Sequence, residues 1–222
     1  IIREDFCYLT EQNRKKLYPY MRAAQAAGHK AYMRQDTLLI NNMRFKVSDI
    51  PRIPHDCQPA AIATRSNEEM VLFHSKESPF SNFHPSQFTV DGIQYEHNEQ
   101  FYQSKKAEFF NDDGLAESIR NHKDPQDCCM LGRRVARFRE NEWAKVEDDV
   151  MFKGALAKFS QNEHLKEALL ATYQKLLAES CKDKIWGTGV AIHHPDAFKR
   201  IRWNGKNKLG ECLMKVRQNI TG

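Results

Sequence analysis

From residue 97 to residue 179 apolar residues return at helical spacing almost without a break, over 97–110, 114–121, 126–139, 142–159 and 163–179. Such a run fixes the architecture: helices must supply most of the core, and any sheet is small. Strand signals come earlier. MVLFH (70–74) and FTVDGIQY (88–95) read as short strands, the second turning at Asp91-Gly92, with the loop SPFSNF between them. SCKDKIWGTGVAIHHPDAF is irregular, and LGECLMKVRQNI (209–220) reads as a closing amphipathic helix. The expected class is α+β, mainly helical, with a few short strands.

A different unit precedes this segment. Residues 10–27 read as a helix with Gly28 as its stop, and Pro19 marks a start or a kink inside it. KAYMRQDTLLINNMRFKV then reads as two strands around Asn41-Asn42, whose side chains tolerate positive φ. IPRIPHDCQPA carries three prolines in a short polar stretch, which suits a linker. The expected division is a helix–hairpin appendage over 1–54, a linker over 55–69 and the main domain over 70–222. A chain of 222 residues is long enough for that plan. It begins at Ile1 rather than Met, as expected of a fragment.

No apolar run reaches membrane-spanning length, so no membrane partner is expected. The net charge of +5 suits phosphate-bearing ligands or nucleic acid, and equally a plain soluble surface. Six cysteines, at 7, 57, 128, 129, 181 and 212, include no C-x-x-C, and the adjacent pair is poor disulfide geometry. A reduced, intracellular chain, cytoplasmic or nuclear, follows from that usage. The nine histidines lack metal-ligand spacing, and His193-His194 reads as a solvated loop pair, so no metal is expected.

One polar stripe stands out. In YEHNEQFYQSKKAEFF (95–110), Glu99, Gln103 and Lys106 share a narrow sector of the helix, continued by Phe110. Phe101, Tyr102 and Phe109 mark the core side, and Gln100, Ser104 and Ala107 lie opposite. The stripe flanks the core, as a pocket wall does, although a polar cluster that merely supports the helix has the same spacing. Trp186 and Trp203 lie in glycine-containing polar contexts, KDKIWGTG and RWNGKNKLG, where rings can serve as stacking plates. Trp143, in NEWAKVEDDVM, reads as a core anchor of a helix start or as a further plate. Asp183, three residues before Trp186, is a second acid beside an aromatic. Two acids and stacking rings are the parts of glycoside chemistry.

PFSNF, VDGIQYEHNEQFYQSKKA, LGRRVARF, NEWAKVEDDVM, LAKFSQN, LLAT, DKIWGTG and NGKNKLGECLMKVR resemble, in order, the NADAR family, also called YbiA-like or RibX-like N-glycosidases. The resemblance spans 70–222. It implies a YbiA-like α+β domain that hydrolyses N-glycosidic bonds to a phosphorylated ribose, without cofactor or metal. Two substrate types are implied: ADP-ribosylated guanine in nucleic acid, and the phosphoribosylamino-pyrimidine intermediates of riboflavin synthesis, a phosphoribosyl small molecule. A non-catalytic ADP-ribose-binding module is the alternative.

The same resemblance implies the site residues. Glu99 would orient or deprotonate the attacking group, and Asp183 would hold ribose hydroxyls or share the acid–base work. Lys106 would pair with a phosphate or form a Schiff base with an opened sugar. Substrate contacts would come from Ser81, Asn82 and Phe83 of the S-N-F loop, Gln103, Arg133 of LGRR, Trp143, Trp186, Gly187 and Asn207. The chain departs from the pattern at three places: Gln100 stands where some relatives carry His, Asn204 where a variable residue is usual, and the acidic pair Asp148-Asp149 where relatives often carry a basic residue. RKKLYPYMRAAQAAGHKAYMRQDTLLINNMRFKV is similar to nucleic-acid-binding regions of LINE-type retroelements, with Arg14, Lys15, Lys16, Arg22, Arg34, Arg44 and Lys46 available for phosphates.

Overall fold

The computed structural model describes residues 13, 16–22, 24–25, 29–34, 36–46, 48 and 64–221. The chain divides into two compact units, Ile1–Ala63 and Thr64–Gly222. Arg14, Lys15, Gly28 and residues 55–63 of the expected linker lie outside the described residues.

In the first unit, residues 16–22 and 24–25 are helical (α1), followed by an antiparallel meander of β1 (Ala31–Arg34), β2 (Thr37–Ile40) and β3 (Met43–Phe45). Three strands form where two were expected, because a turn at Asp36 divides the first run. Asn41 and Asn42 both have positive φ, 48° and 72°, the turn geometry that matches the twist of paired strands. Leu17, Met21, Leu38, Ile40 and Phe45 form this unit's own core.

The second unit is built on a three-stranded sheet of β4 (Thr64–Ser66), β5 (Met70–Phe73) and β8 (Leu176–Glu179). β5 pairs antiparallel with β4 and parallel with β8. All four residues of β5 are buried because both sheet faces are covered. Val71, Phe73 and Leu177 join the main helical core, while Leu72 and Ala178 meet Ile192 and Ala197 of the irregular segment. A separate hairpin, β6 (Phe88–Val90) and β7 (Ile93–Tyr95), turns at Asp91-Gly92, both with positive φ.

Between β7 and β8 lie α2 (Asn98–Phe109), α3 (Asp113–Asn121), α4 (Pro125–Gly132), α5 (Glu140–Trp143), α6 (Glu147–Gln161) and α7 (Glu163–Leu170). α8 (Lys208–Thr221) closes the unit. Residues 64–66, placed in the linker by the sequence, are strand β4. The helix expected over 126–139 ends at Gly132, and that over 142–159 is interrupted between α5 and α6. The helix expected over 163–179 ends at Leu170, and its second half is β8.

α2 runs through the middle of this unit. Gln100, Ser104 and Ala107, expected opposite the core, are buried, whereas Phe109, expected in it, is 42% exposed. Gln100 donates to the carbonyls of Arg120 and His122 and accepts from Glu96 N, so its amide closes the end of α3. Gly154 lets α6 approach closely, since a side chain there would strike Asn98 and Phe101.

Lys158 ties α6 to the S-N-F loop. Its Nζ, fully buried, donates to Pro79 O and Ser81 O, both at 2.8 Å. Burial pushes its pKa down to about 7. Lys158→Met is expected to lower stability by roughly 1–3 kcal/mol, because two carbonyls lose their donor. The native lysine releases its proton at lower pH than the unfolded one. Wild-type stability relative to the variant therefore rises with pH from about 7 towards the ordinary value of 10.5, a trend that chemical denaturation at a series of pH values would read.

Candidate active site

α2 carries Glu99 in its first turn and Lys106 in its last, with His97 capping the helix through its ring nitrogen to Gln100 N. Glu99 is 7% exposed. Burial raises its pKa, opposed by hydrogen bonds from Gln103 and Cys129 and by the charges of Lys106 and Arg133. Gln103 Nε2 donates to Glu99 Oε1 at 2.8 Å. The other Gln103 amide atom, Oε1, is buried without a hydrogen-bond partner among the described residues and points at Gly132. Gly132 lies against that amide, and no side chain fits there.

Lys106 is half-buried with its Nζ 5.6 Å from the Phe138 ring centroid. Desolvation lowers its pKa, Glu99 and Glu147 work against that, and Arg133 adds to it. The stripe of acid, amide and amine is thus one wall of the candidate site, one flank of which is the exposed Arg133 at the end of α4.

The second wall is the 179–189 loop. Asp183 is exposed, and its Oδ1 accepts from the backbone N of Ile185 and of Trp186, both at 2.7 Å, which fixes the turn carrying the indole. Trp186 is half-buried and meets the Tyr102 ring edge-on at 5.4 Å, with Lys208 Nζ 5.6 Å above its own ring. Tyr102 sits three residues beyond Glu99 on α2. The loop therefore packs directly on the helix that bears the acid and the amine. Residues 184–188 bond through their backbone carbonyls to the amides of 204–209. Gly205 makes this approach possible, since a side chain there would meet the carbonyl of Gly187. Gly187 is equally enclosed, by Cys181 and the Asp183 carbonyl.

Several expected substrate contacts also bond within the protein. Trp143 is 3% exposed, and its indole N–H donates to Tyr102 Oη at 2.8 Å, so it braces Tyr102 from within the core. Asn207, with φ of 54°, donates to Leu177 O and accepts from Glu179 N, which ties the start of α8 to β8. Asn82 is buried and accepts from Asn98 Nδ2, while its backbone carbonyl accepts from Glu99 N. Ser81 Oγ accepts from Phe83 N. These two polar side chains shape the loop, and Phe83 is half-buried beside them. Gly187 is likewise a packing requirement. Trp203, expected as a plate, donates to Ala197 O and packs with the cluster beneath the sheet.

Three members of the site were not singled out by the sequence. Cys129 hydrogen-bonds Glu99. Glu147 accepts from Lys208 at 2.6 Å and from Tyr102 Oη at 3.5 Å. Glu179, at the end of β8, has its pKa pushed up to about 8 by burial, with Asp183 and Glu99 adding to the rise. The spacing to Asp183, four residues, was its only visible signal.

A cavity of about 310 Å³ opens on the other side of Lys208, between α6 and α8, lined by Asp148, Asp149, Phe152 and Lys215 among others. Of the residues above it holds Lys208 alone.

Residues 71–221 match the NADAR domain. That range covers most of the chain and contains both walls of the site. The chain belongs to the NADAR family. It is 36% identical over 163 residues to "N-glycosidase R617" of Acanthamoeba polyphaga mimivirus, covering 68% of this chain and 96% of the relative. It is 32% identical to "Riboflavin biosynthesis protein VVA0006" of Vibrio vulnificus over 70% of this chain and 40% of that protein. The solution structure of Escherichia coli YbiA superposes with a TM-score of 0.58 at 31% identity, covering 72% of this chain and 89% of that one. The NADAR match begins after the first unit, which stands outside it.

Proposed function

We propose that this NADAR domain hydrolyses the N-glycosidic bond to a phosphorylated ribose, and that its substrate is ADP-ribose attached to guanine in nucleic acid. The observation that carries the reading is the placement of a buried carboxylate, Glu99, beside a desolvated amine, Lys106, against a loop presenting Trp186. The N-glycosidase names of relatives such as the mimivirus protein support the same reaction class.

The chemistry follows from the charges. A lysine that is desolvated and has a cationic neighbour spends more time as the free amine, the form that attacks carbon. Lys106 meets both conditions, with Arg133 as the neighbour. The glycosidic N–H proton passes to O4 as the C1–O4 bond opens, and the lone pair of Lys106 adds to the C1=N bond so formed. The two lysine N–H protons pass to the base nitrogen, which departs as an amine. Water hydrolyses the remaining C1=N bond to Lys106, restoring the lysine's two protons. Glu99 accepts the proton of the attacking water. Trp186 offers a ring face for the base or the adenine, and Arg133 a cation for phosphate.

A polymeric substrate is favoured by the exposed cations beside the site. Arg134 and Arg137 continue from Arg133, and Lys182 and Lys184 flank Asp183, all exposed. The test is to incubate the chain with a guanine-ADP-ribosylated oligonucleotide and, separately, with the phosphoribosylamino-uracil intermediate. Release of ADP-ribose from the first alone is expected. Release from the second alone would reassign the substrate, and tight ADP-ribose binding without release would make this a silent module.

A further inference from the structure

We infer that the loop 133–139 is the surface on which a nucleic-acid strand lies, with the Phe138 ring stacked on the base next to the modified guanine and Arg134 and Arg137 on the flanking phosphates. The inference rests on the polymeric-substrate reading above and adds the ring that would hold the neighbouring nucleotide.

The loop reads RRVARFR, four arginines and a phenylalanine in seven residues. It follows α4 and is pinned along its length. Arg134 N donates to Leu131 O at 2.8 Å, Val135 is buried in the main core, and Ala136 N donates to Asp112 Oδ2 at 2.9 Å. At the far end Arg139 makes a two-pronged ion pair with Glu142 of α5, its Nη2 donating to Oε2 at 2.9 Å. Arg137 has a φ of 56°, a left-handed backbone that a residue with a side chain adopts only when its surroundings hold it there. Between these anchors Arg134, Arg137 and Phe138 are exposed. Phe138 is 46% exposed, yet its ring is fixed edge-on against buried Phe110 at 5.4 Å. Phe109, also exposed, meets the same Phe110 at 5.0 Å. Lys106 Nζ lies 5.6 Å from the Phe138 centroid, so this open ring borders the amine of the candidate site.

The chemistry of the patch selects its occupant. Glu142 matches the charge of Arg139, but among the described residues no carboxylate pairs with Arg134 or Arg137. An apolar protein face would cover the ring and leave those two cations unmatched. A second copy of this chain would bring the same cations against one another. A nucleic-acid strand answers both features, since its bases offer flat π-faces and its phosphates the opposite charge. A base must leave its pairing partner to stack on a side chain, so the strand is single where it crosses Phe138. If Lys106 attacks C1, the modified guanine stands next to it, and the neighbouring nucleotide of the same strand reaches the ring beside that lysine.

The test titrates the full chain into fluorescein-labelled single-stranded DNA and, in parallel, RNA, neither carrying ADP-ribose, and reads anisotropy over a range of salt. Wild type is expected to bind. Phe138→Ala is expected to bind roughly 5- to 150-fold more weakly, and Phe138→Trp to restore the affinity. Arg134→Gln and Arg137→Gln are each expected to reduce the slope of log affinity against log salt by about 0.7. Phe138→Ala is also expected to raise KM for the guanine-ADP-ribosylated oligonucleotide more than for ADP-ribosylated guanosine, which has no neighbouring base. No binding of either strand by wild type overturns the inference, and so does unchanged binding in Phe138→Ala. An equal loss of kcat on both substrates with KM unmoved would make the ring a shield of Lys106 and overturn it too. So would a wild-type dimer that Phe138→Ala converts to monomer in sedimentation, with a second copy as the occupant. Wild type that binds the strands through Phe138 yet releases nothing from any ribosyl substrate keeps the strand-binding loop and sinks the N-glycosidase reading.

Discussion

Glu99→Gln is expected to lower turnover by on the order of 10²–10⁴-fold while leaving the protein at least as stable as wild type. Both halves follow from one fact: Glu99 is a carboxylate held out of water. Glutamine keeps the shape and can still accept from Gln103 Nε2, but it cannot take a proton from water. It also removes a buried ionisable group whose charged form is disfavoured. The sign with pH is fixed. The pKa of Glu99 is raised in the folded chain, so the native state holds its proton at pH values where the unfolded state has released it. Wild-type stability therefore falls as pH rises above the ordinary value of 4.5, until the folded group also ionises. Glu99→Gln lacks that loss. Thermal unfolding at neutral pH, beside the oligonucleotide assay, reads both quantities. A variant that is unstable, or active within tenfold of wild type, would mean that Glu99 is a structural group.

Lys106→Arg is expected to be as inactive as Lys106→Met, each slower by on the order of 10²-fold or more. Arginine preserves the positive charge and binds phosphate well, yet it cannot form an imine at neutral pH. The pair of variants thus separates a covalent amine from a phosphate clamp. Borohydride added during turnover should leave a reduced sugar adduct on wild type, located at Lys106 by peptide mass spectrometry. If Lys106→Arg retains turnover and no adduct forms, the lysine acts as a charge and water attacks the sugar directly.

The helical share of the fold was open to reading because α3 and α8 carry an amphipathic periodicity in their own residues. β8 was not. Its four residues, Leu176–Glu179, are a short apolar run without alternation, and such a run looks the same in a buried strand as in a helix. Its partner β5 lies a hundred residues upstream, so no local window contains the pairing. Missing β8 also concealed the place of Glu179 at the end of that strand. The faces of α2 were misjudged for a related reason: a helix enclosed on all sides buries polar residues that find local partners, as Gln100 does with the end of α3. The resemblance grouped Trp186 with Trp143 as substrate contacts, and it could not show that Trp186 lies half-buried on its loop whereas Trp143 braces Tyr102 from within the core.

A crystal structure with ADP-ribose tests the convergence of the two walls most directly. The ribose bearing the free C1 is predicted between Lys106 Nζ and the carboxyl group of Glu99, with Trp186 against one of the flat groups of the ligand. Electron density for the nucleotide in the cavity between α6 and α8, with the space between Glu99 and Trp186 filled by side chains, would contradict it.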